Sequence, residues 1–265
     1  MDEVLCCLPN GKQFRRKDIK FVGNISERQK IAIIMPTVVR KIDTNDKDMS
    51  YLLQTLEKLI PQLKNDVALL IFIGDTEPDK IMTIISKIQE AYPLYIEMGR
   101  LQVVSLENVK YQIPPIIPPS TYKDDTKRII WRTRQNLLYS FMFTYARSFG
   151  EYILMMEDDS FPVPDMLRRI EKEIQDCSNI EWYHLRFSEY FGEIGIVYKP
   201  QILPFISRHL RNFYTEDPCD NLRHKLLLRI FKNQIVKHFT YLGCPITTNT
   251  GTQFHHIGLI SSINQ

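Results

Sequence analysis

Residues 66–76 read DVALLIFIGDT, seven consecutive apolar side chains closed by Gly74-Asp75. A continuous apolar run this short, bounded by turn residues, reads as a strand buried on both faces. Such strands belong to parallel sheets with helices packed above and below. The flanking sequence supplies the rest of that layer structure. Upstream, IAIIMPTVV at 31–39 is a second buried strand, with a loop beginning at its C-terminal end near Pro36-Thr37. Between the two lies SYLLQTLEKLI at 50–60, with Leu52, Leu53, Leu56, Leu59 and Ile60 at helical spacing and Ser50 placed as N-cap. Downstream, residues 78–91 carry Ile81, Ile84, Ile85 and Ile88 on one helical face, and LQVVSL at 101–106 is a third strand. The order βαβαβ predicts an α/β fold with a mainly parallel central sheet and helices on both faces.

Working outward, residues 1–28 are polar and unpatterned and read as a loose lead-in, leaving 29–265 as a single domain without internal repeats. YQIPPIIPPST at 111–121 packs four prolines into six residues and reads as an extended loop, either a surface linker or a flap beside a site. A long helix is expected over 126–149, with Trp131, Leu138, Phe141, Met142 and Tyr145 facing inward and Gly150 just past its end. EYILMM at 151–156 is a fourth strand, followed by a helix over 165–175 and an alternating strand, EWYHLRF, at 181–187. A glycine-containing turn spans 191–195, helices lie near 200–214 and 217–230, and the turn-rich tail at 240–265 holds His255 and His256.

Composition narrows the function classes. The chain has 265 residues, 44% hydrophobic and 25% charged, which is ordinary for a globular protein. Thirty-four basic against 31 acidic side chains give a net charge of +3, which does not predict nucleic-acid binding. No apolar run reaches the ~18 residues of a membrane span, and the first residues lack a signal-peptide core. Five cysteines, with no CxxC pair, read as buried or free thiols. The phosphate-binding GxxxxGK[ST] loop, the dinucleotide GxGxxG turn, the GxSxG elbow and the HExxH zinc helix are all missing from the sequence.

The sharpest local signal is Glu157-Asp158-Asp159, three acids at the end of a hydrophobic strand. The carboxyl ends of strands are where open α/β sheets bind ligands. Adjacent carboxylates repel unless a cation joins them, and a hard divalent ion such as Mn²⁺ or Mg²⁺ meets that need. The alternative is an acidic turn ahead of the next helix. Asp75 and Thr37 end the neighbouring strands at the same edge, as a nucleotide contact or as ordinary turn residues. Arg128, Arg132 and Arg134, with Gln135 and Asn136, occupy the first turns of the long helix and face either a diphosphate or solvent. Asp220, in TEDPCDNL, is either a helix-start charge or a general base. His256 is either a structural histidine or a late metal or phosphate ligand.

Six segments occurring in order resemble one family. They are FVGNISERQKIAIIMPTVVRK, SYLLQTLEKLI, KRIIWRTRQNLLYSFMFTYARSFGEYILMMEDD, RFSEYFGEIG, FYTEDPCDNL and QFHHIGLISSI, covering Phe21 to Ile263. Together they are similar to the catalytic domain of the α-1,3-mannosyl-glycoprotein 4-β-N-acetylglucosaminyltransferases. The resemblance implies a GT-A-type nucleotide-binding sandwich that transfers GlcNAc from UDP-GlcNAc to a core mannose of N-glycans, in β-1,4 linkage and with inversion. It implies Thr37, Asp75, Arg132, Gln135, Asn136 and Asp158 at the nucleotide sugar. It implies Asp159 and His256 at Mn²⁺ or another divalent cation, and Asp220 as general base, with Glu189 as second choice. It further implies a glycoprotein acceptor and the Golgi lumen, with membrane attachment only through an anchor upstream of this chain. The chain departs from the family pattern at Arg186-Phe187-Ser188 and at residues 191–196, both bearing on the acceptor, and at Asp220-Asn221-Leu222-Arg223. Those departures keep open a competing class, a non-catalytic homologue that binds a glycan or a partner transferase.

Overall fold

The computed structural model of the chain describes residues 4–7, 13–15, 19–39, 51–105, 124–179, 181–189, 192–230 and 252–257. Strands β1 (Val4–Cys7) and β2 (Gln13–Arg15) pair as an antiparallel hairpin. The central sheet is built from β3 (Lys20–Val22), β4 (Gln29–Thr37), β5 (Val67–Ile73), β6 (Leu101–Ser105), β7 (Gly150–Met155), β9 (His184–Arg186) and β10 (Ile196–Tyr198). Its order is β3-β6-β5-β4-β7-β10-β9. The four middle strands, β6, β5, β4 and β7, run parallel, while β3 and the β10–β9 pair are antiparallel flanks. A third, small sheet joins β8 (Ser160–Pro162) to β11 (Phe254–His256).

Helices cover both faces. Helices α1 (Tyr51–Leu59), α2 (Pro78–Ala91), α3 (Pro93–Glu97) and α5 (Met166–Asp176) precede or follow the parallel strands, and Leu52, Leu56, Ile81, Ile84, Ile88, Leu167 and Ile170 pack on Ile31, Ile33, Leu69 and Ile71. On the other face, α4 (Thr126–Ala146), α6 (Leu203–Asn212) and α7 (Cys219–Ile230) pack on Ala32, Ile34, Leu70 and Phe72. Every residue of β5 is 0% exposed, which is why its sequence shows no polar alternation. Full burial of such side chains contributes ~1.5–3 kcal/mol each.

Register explains where the chemistry falls. Strand β4 pairs β5 from Ile31↔Val67 to Thr37↔Ile73, and pairs β7 through Ile34↔Met155. Thr37, Gly74-Asp75 and Glu157-Asp158-Asp159 therefore leave three adjacent parallel strands at one carboxyl edge.

Four expectations are corrected. The lead-in is not loose throughout, because Lys20–Val22 hydrogen-bonds along β6 as the edge strand, and Ile19 and Ile25 are buried beside it. An edge strand of three residues is too short to show a period. Gly150 is the first residue of β7, not a helix cap, and a Cβ there would lie 2.5 Å from the Tyr152 carbonyl oxygen. Only His184–Arg186 of the 181–187 segment pairs as a strand. Cys177 is disulfide-bonded, whereas Cys219 is a free, buried thiol. The Pro-rich 111–121 segment and Ser50 lie outside the described residues.

The 192–195 turn is a tight point of the fold. Gly195 has φ +65°, and a Cβ on it would stand 2.4 Å from Cδ2 of the fully buried Phe254. Gly195→Ala is expected to destabilise the protein by ~2–4 kcal/mol, from overpacking plus left-handed backbone strain. A urea titration checks it, and an unchanged midpoint would contradict this packing.

Candidate active site

The parallel strands deliver the acids and the antiparallel flank closes around them. Behind Glu157 stands α4, whose Tyr139 hydroxyl points at Glu157 Oε1 from 3.5 Å. In front, Gly192 passes close enough that its missing Cβ would sit 3.9 Å from the same oxygen. These walls enclose a cleft of about 410 Å³. Helix α4 contributes Arg128, Trp131 and Gln135 to the lining. Glu157 and Glu193 form an acidic wall, and Cys219 and Asp220 enter from the start of α7.

The acids are crowded. Burial first, then the charges of Asp159, Asp158, Glu193 and Asp220, push the Glu157 carboxyl up from 4.5 to about 8. At neutral pH this group therefore either holds a proton or exchanges it for a cation. Asp159 Oδ2 lies 3.5 Å from His256 Nε2. His256 is brought there by β11, which pairs with β8 so that His256 stands opposite Ser160. The backbone N–H of Ile257 donates to the Asp159 carbonyl at 2.8 Å, tying the two segments again. One ligand atom from each of Glu157, Asp159 and His256 lies within 4.8 Å of the others. Two carboxylates and an imidazole are a donor set suited to Mn²⁺ or a similar divalent ion. The crowded charge at Glu157 is the observation that such an ion would relieve, so the residues fit the group.

Other expected residues are placed as follows. Thr37 and Asp158 meet, with the Thr37 hydroxyl donating to Asp158 Oδ2 at 2.7 Å, but both are buried beneath the cleft. The Asp158 carbonyl accepts from the Thr55 hydroxyl at 2.8 Å. This pair braces the loop that carries Asp159. Asp75 accepts from the Val39 N–H at 2.7 Å and lies 3.8 Å from the Lys80 ammonium. Burial outweighs both and raises its pKa. It stands at the same sheet edge but off the cleft lining. Arg132 is 1% exposed and donates through Nη1 to Asp124 at 2.8 Å. Its Nε and Nη2, and Gln135 Oε1, have no hydrogen-bond partner among the described residues. Asn136 faces the protein, its amide donating to the carbonyls of Tyr214 at 2.9 Å and Asp217 at 2.8 Å. It thereby fixes the loop that leads into Asp220. Glu189 is exposed and is not part of the cleft lining.

Three lining residues go beyond the sequence expectations. Trp131, expected in the core, is half-buried and faces the cleft. Its setting among Arg128, Arg132 and Gln135 is the signal that its helix face is not purely apolar. Glu157 itself joins Asp159 and His256 in the cluster that could hold a metal ion, where the sequence pointed to the triplet as a unit. Glu193 sits in a glycine-rich turn and has no local pattern to reveal it.

The family model of the MGAT4 conserved region matches residues 12–265. The chain belongs to the MGAT4 family. Relatives include the α-1,3-mannosyl-glycoprotein 4-β-N-acetylglucosaminyltransferase A of Rattus norvegicus, 30% identical over 249 residues, covering 90% of this chain and 46% of that protein. The B enzyme of Mus musculus is 31% identical over 206 residues, covering 76% of this chain and 36% of that protein. The chain thus spans less than half the length of these relatives. Among solved structures, S. aureus TarS 1–349 in complex with UDP-GlcNAc aligns with TM-score 0.39 and 14% identity, over 66% of this chain and 46% of that one. The mannosyltransferase PcManGT from Pyrobaculum calidifontis in complex with GDP-Man and Mn²⁺ aligns with TM-score 0.44 and 10% identity, over 78% and 54%. Likenesses this distant add nothing to the family assignment. No helix among the described residues is long and apolar enough to cross a membrane.

Proposed function

We propose that the chain is the catalytic domain of an inverting glycosyltransferase that moves GlcNAc from UDP-GlcNAc to a core mannose of a glycoprotein N-glycan in β-1,4 linkage. The observation that carries this reading is one cleft with acids on two walls, Glu157 at a strand end and Asp220 at a helix start, in a chain of the MGAT4 family. An inverting transfer asks for that arrangement. The Asp220 carboxylate accepts the proton of the acceptor hydroxyl, whose oxygen forms the new bond to the anomeric carbon. The bond from that carbon to the diphosphate oxygen breaks on the opposite side, and its electron pair leaves with UDP. Glu157, Asp159 and His256 would hold a divalent cation, Mn²⁺ by their chemistry, and bound there it offsets the charge of the departing diphosphate. Trp131 offers an aromatic face to a sugar ring, beside the charged Arg128.

The disulfide at Cys177 supports an oxidising compartment such as the Golgi lumen. Retained acids on both walls argue against a purely regulatory homologue. The deciding experiment measures UDP release from UDP-GlcNAc with Mn²⁺, with and without an N-glycan bearing an α-1,3-linked core mannose. Release accelerated by the acceptor is expected. Release that the acceptor does not accelerate would make the protein a nucleotide-sugar hydrolase, and no release by folded protein would put the regulatory homologue in front.

A further inference from the structure

Glu193 and Arg223 form a buried ion pair in the cleft wall that the chemistry above does not use. The Glu193 side chain is 1% exposed and that of Arg223 is 5% exposed, with Arg223 Nε donating to Glu193 Oε1 at 2.5 Å. The second carboxylate oxygen accepts from the Tyr198 hydroxyl at 2.9 Å. Tyr198 is fully buried on β10, its ring edge-on to Phe143 of α4 at 5.5 Å between centroids. Glu193 is thus anchored to the sheet at one oxygen and to α7 at the other. Burial works against the Arg223 charge, but Glu193, Tyr198 and Cys219 together more than offset it, so the guanidinium pKa is raised and Arg223 keeps its charge.

Buried ion pairs seldom stabilise more than a well-packed apolar pair of similar volume. Their value is directional, because a guanidinium meets a carboxylate in few geometries. Here the direction has an object. Arg223 lies three residues after Asp220 on α7, and residues at that spacing share a helix face. The start of α7 is held separately by Asn136 on the Asp217 carbonyl and by the Asn221 amide, which donates to Asp217 Oδ1 at 2.9 Å. Arg223 supplies the second point that fixes the rotation of the helix about its axis. The same turn is held on its far side, where the Phe187 N–H donates to the Gly195 carbonyl at 2.7 Å and Gly195 packs under Phe254. Phe254 opens β11, the strand that carries His256. One turn therefore references Asp220 and His256 to the same backbone.

We propose that Glu193 and Arg223 are positioning residues that fix the rotation of α7 and aim Asp220 across the cleft at Glu157. The inference rests on the reading of Asp220 as the base, but its geometric part can be tested without any transfer assay. Cys219 precedes Asp220, lines the same cleft and is a free buried thiol. Its alkylation rate by iodoacetamide, followed by peptide mass spectrometry, reports whether the start of α7 holds its place. The variants are the double apolar replacement Glu193→Leu/Arg223→Met, which leaves no unpaired buried charge, and Arg223→Lys, which keeps the charge but not the fork.

Both variants are expected to alkylate at Cys219 about tenfold faster than the parent while retaining a cooperative thermal transition. Where transfer is measured, kcat is expected to fall about 10–100-fold with little change in the KM for UDP-GlcNAc, the pattern of a misaimed base. If the double variant does not fold, Arg223→Lys alone decides by the same two readings. Unchanged Cys219 alkylation in a folded variant overturns the proposal, whether or not the parent transfers sugar. Faster alkylation with unchanged kcat overturns it as well, because the helix start would then move without consequence for Asp220. A parent protein that transfers nothing refutes the functional reading and leaves the alkylation result to judge the geometry.

Discussion

Asp220→Asn is expected to lower the acceptor-dependent turnover of UDP-GlcNAc by about 10²–10⁴-fold, with donor affinity in the presence of Mn²⁺ nearly unchanged. The substitution is close to isosteric. Asp220 Oδ1 accepts from the N–H of Asn221 at 2.9 Å, and the Asn side-chain oxygen can keep that bond. The amide cannot take the acceptor's proton. Loss of kcat without loss of donor binding is the signature of a group that acts on the acceptor hydroxyl rather than on the nucleotide. A pre-steady-state measurement with saturating acceptor separates this from a binding defect. If the loss follows Glu189→Gln and spares Asp220→Asn, the base assignment is overturned. The structure weights the outcome toward Asp220, which lines the cleft, while Glu189 is exposed away from it.

The parallel core was legible because burial on two faces leaves unbroken apolar runs, all of β5, residues 31–35 within β4 and residues 152–155 within β7. Strand ends follow from the same reading, so Thr37, Asp75 and Glu157-Asp158-Asp159 were placed at one edge from sequence alone. Side-chain roles at that edge were not legible. Asp158 and Asp159 are neighbours of the same type, yet Asp158 is spent on Thr37 beneath the site and Asp159 turns toward His256. Which of two adjacent acids faces the ligand depends on backbone direction after the strand, which the pattern does not encode. Asn136 and Gln135 show the same limit on a helix, one facing the protein core and the other the cleft. The Glu193–Arg223 pair joins residues 30 apart, and neither segment alone marks its charge as buried. Short antiparallel flanks such as β3 and β10 stay hidden because three residues cannot display a period of two.

Metal binding is expected to invert the pH response of the protein through Glu157. Its carboxyl is pushed from 4.5 to about 8, chiefly by burial and then by Asp159, Asp158, Glu193 and Asp220. The Tyr139 hydroxyl also faces it from α4. A raised carboxyl pKa means that the folded protein holds this proton more tightly than the unfolded chain does. The associated stability is complete below about pH 4.5 and is lost as pH rises through about 8. For the metal-free protein, unfolding free energy is therefore expected to decline across that window by on the order of a few kcal/mol. A divalent ion competes for the same oxygen as the proton, so its affinity rises as pH rises, by up to about tenfold per unit below the Glu157 pKa. Mn²⁺ is then expected to raise Tm strongly at pH 8 and weakly at pH 5.5. Asp159→Ala removes one ligand, and both the Mn²⁺-induced shift in Tm and the Mn²⁺-dependent binding of UDP-GlcNAc are expected to disappear. Glu157→Gln cannot ionise, so its metal-free stability should no longer fall between pH 5.5 and 8. Differential scanning calorimetry at the two pH values, with and without Mn²⁺ and UDP-GlcNAc, reads all of these. A Mn²⁺ shift of equal size at both pH values would show that the ion does not displace the Glu157 proton. A shift that survives Asp159→Ala would place the ion elsewhere, because Asp159 is the link between the strand-end acids and His256.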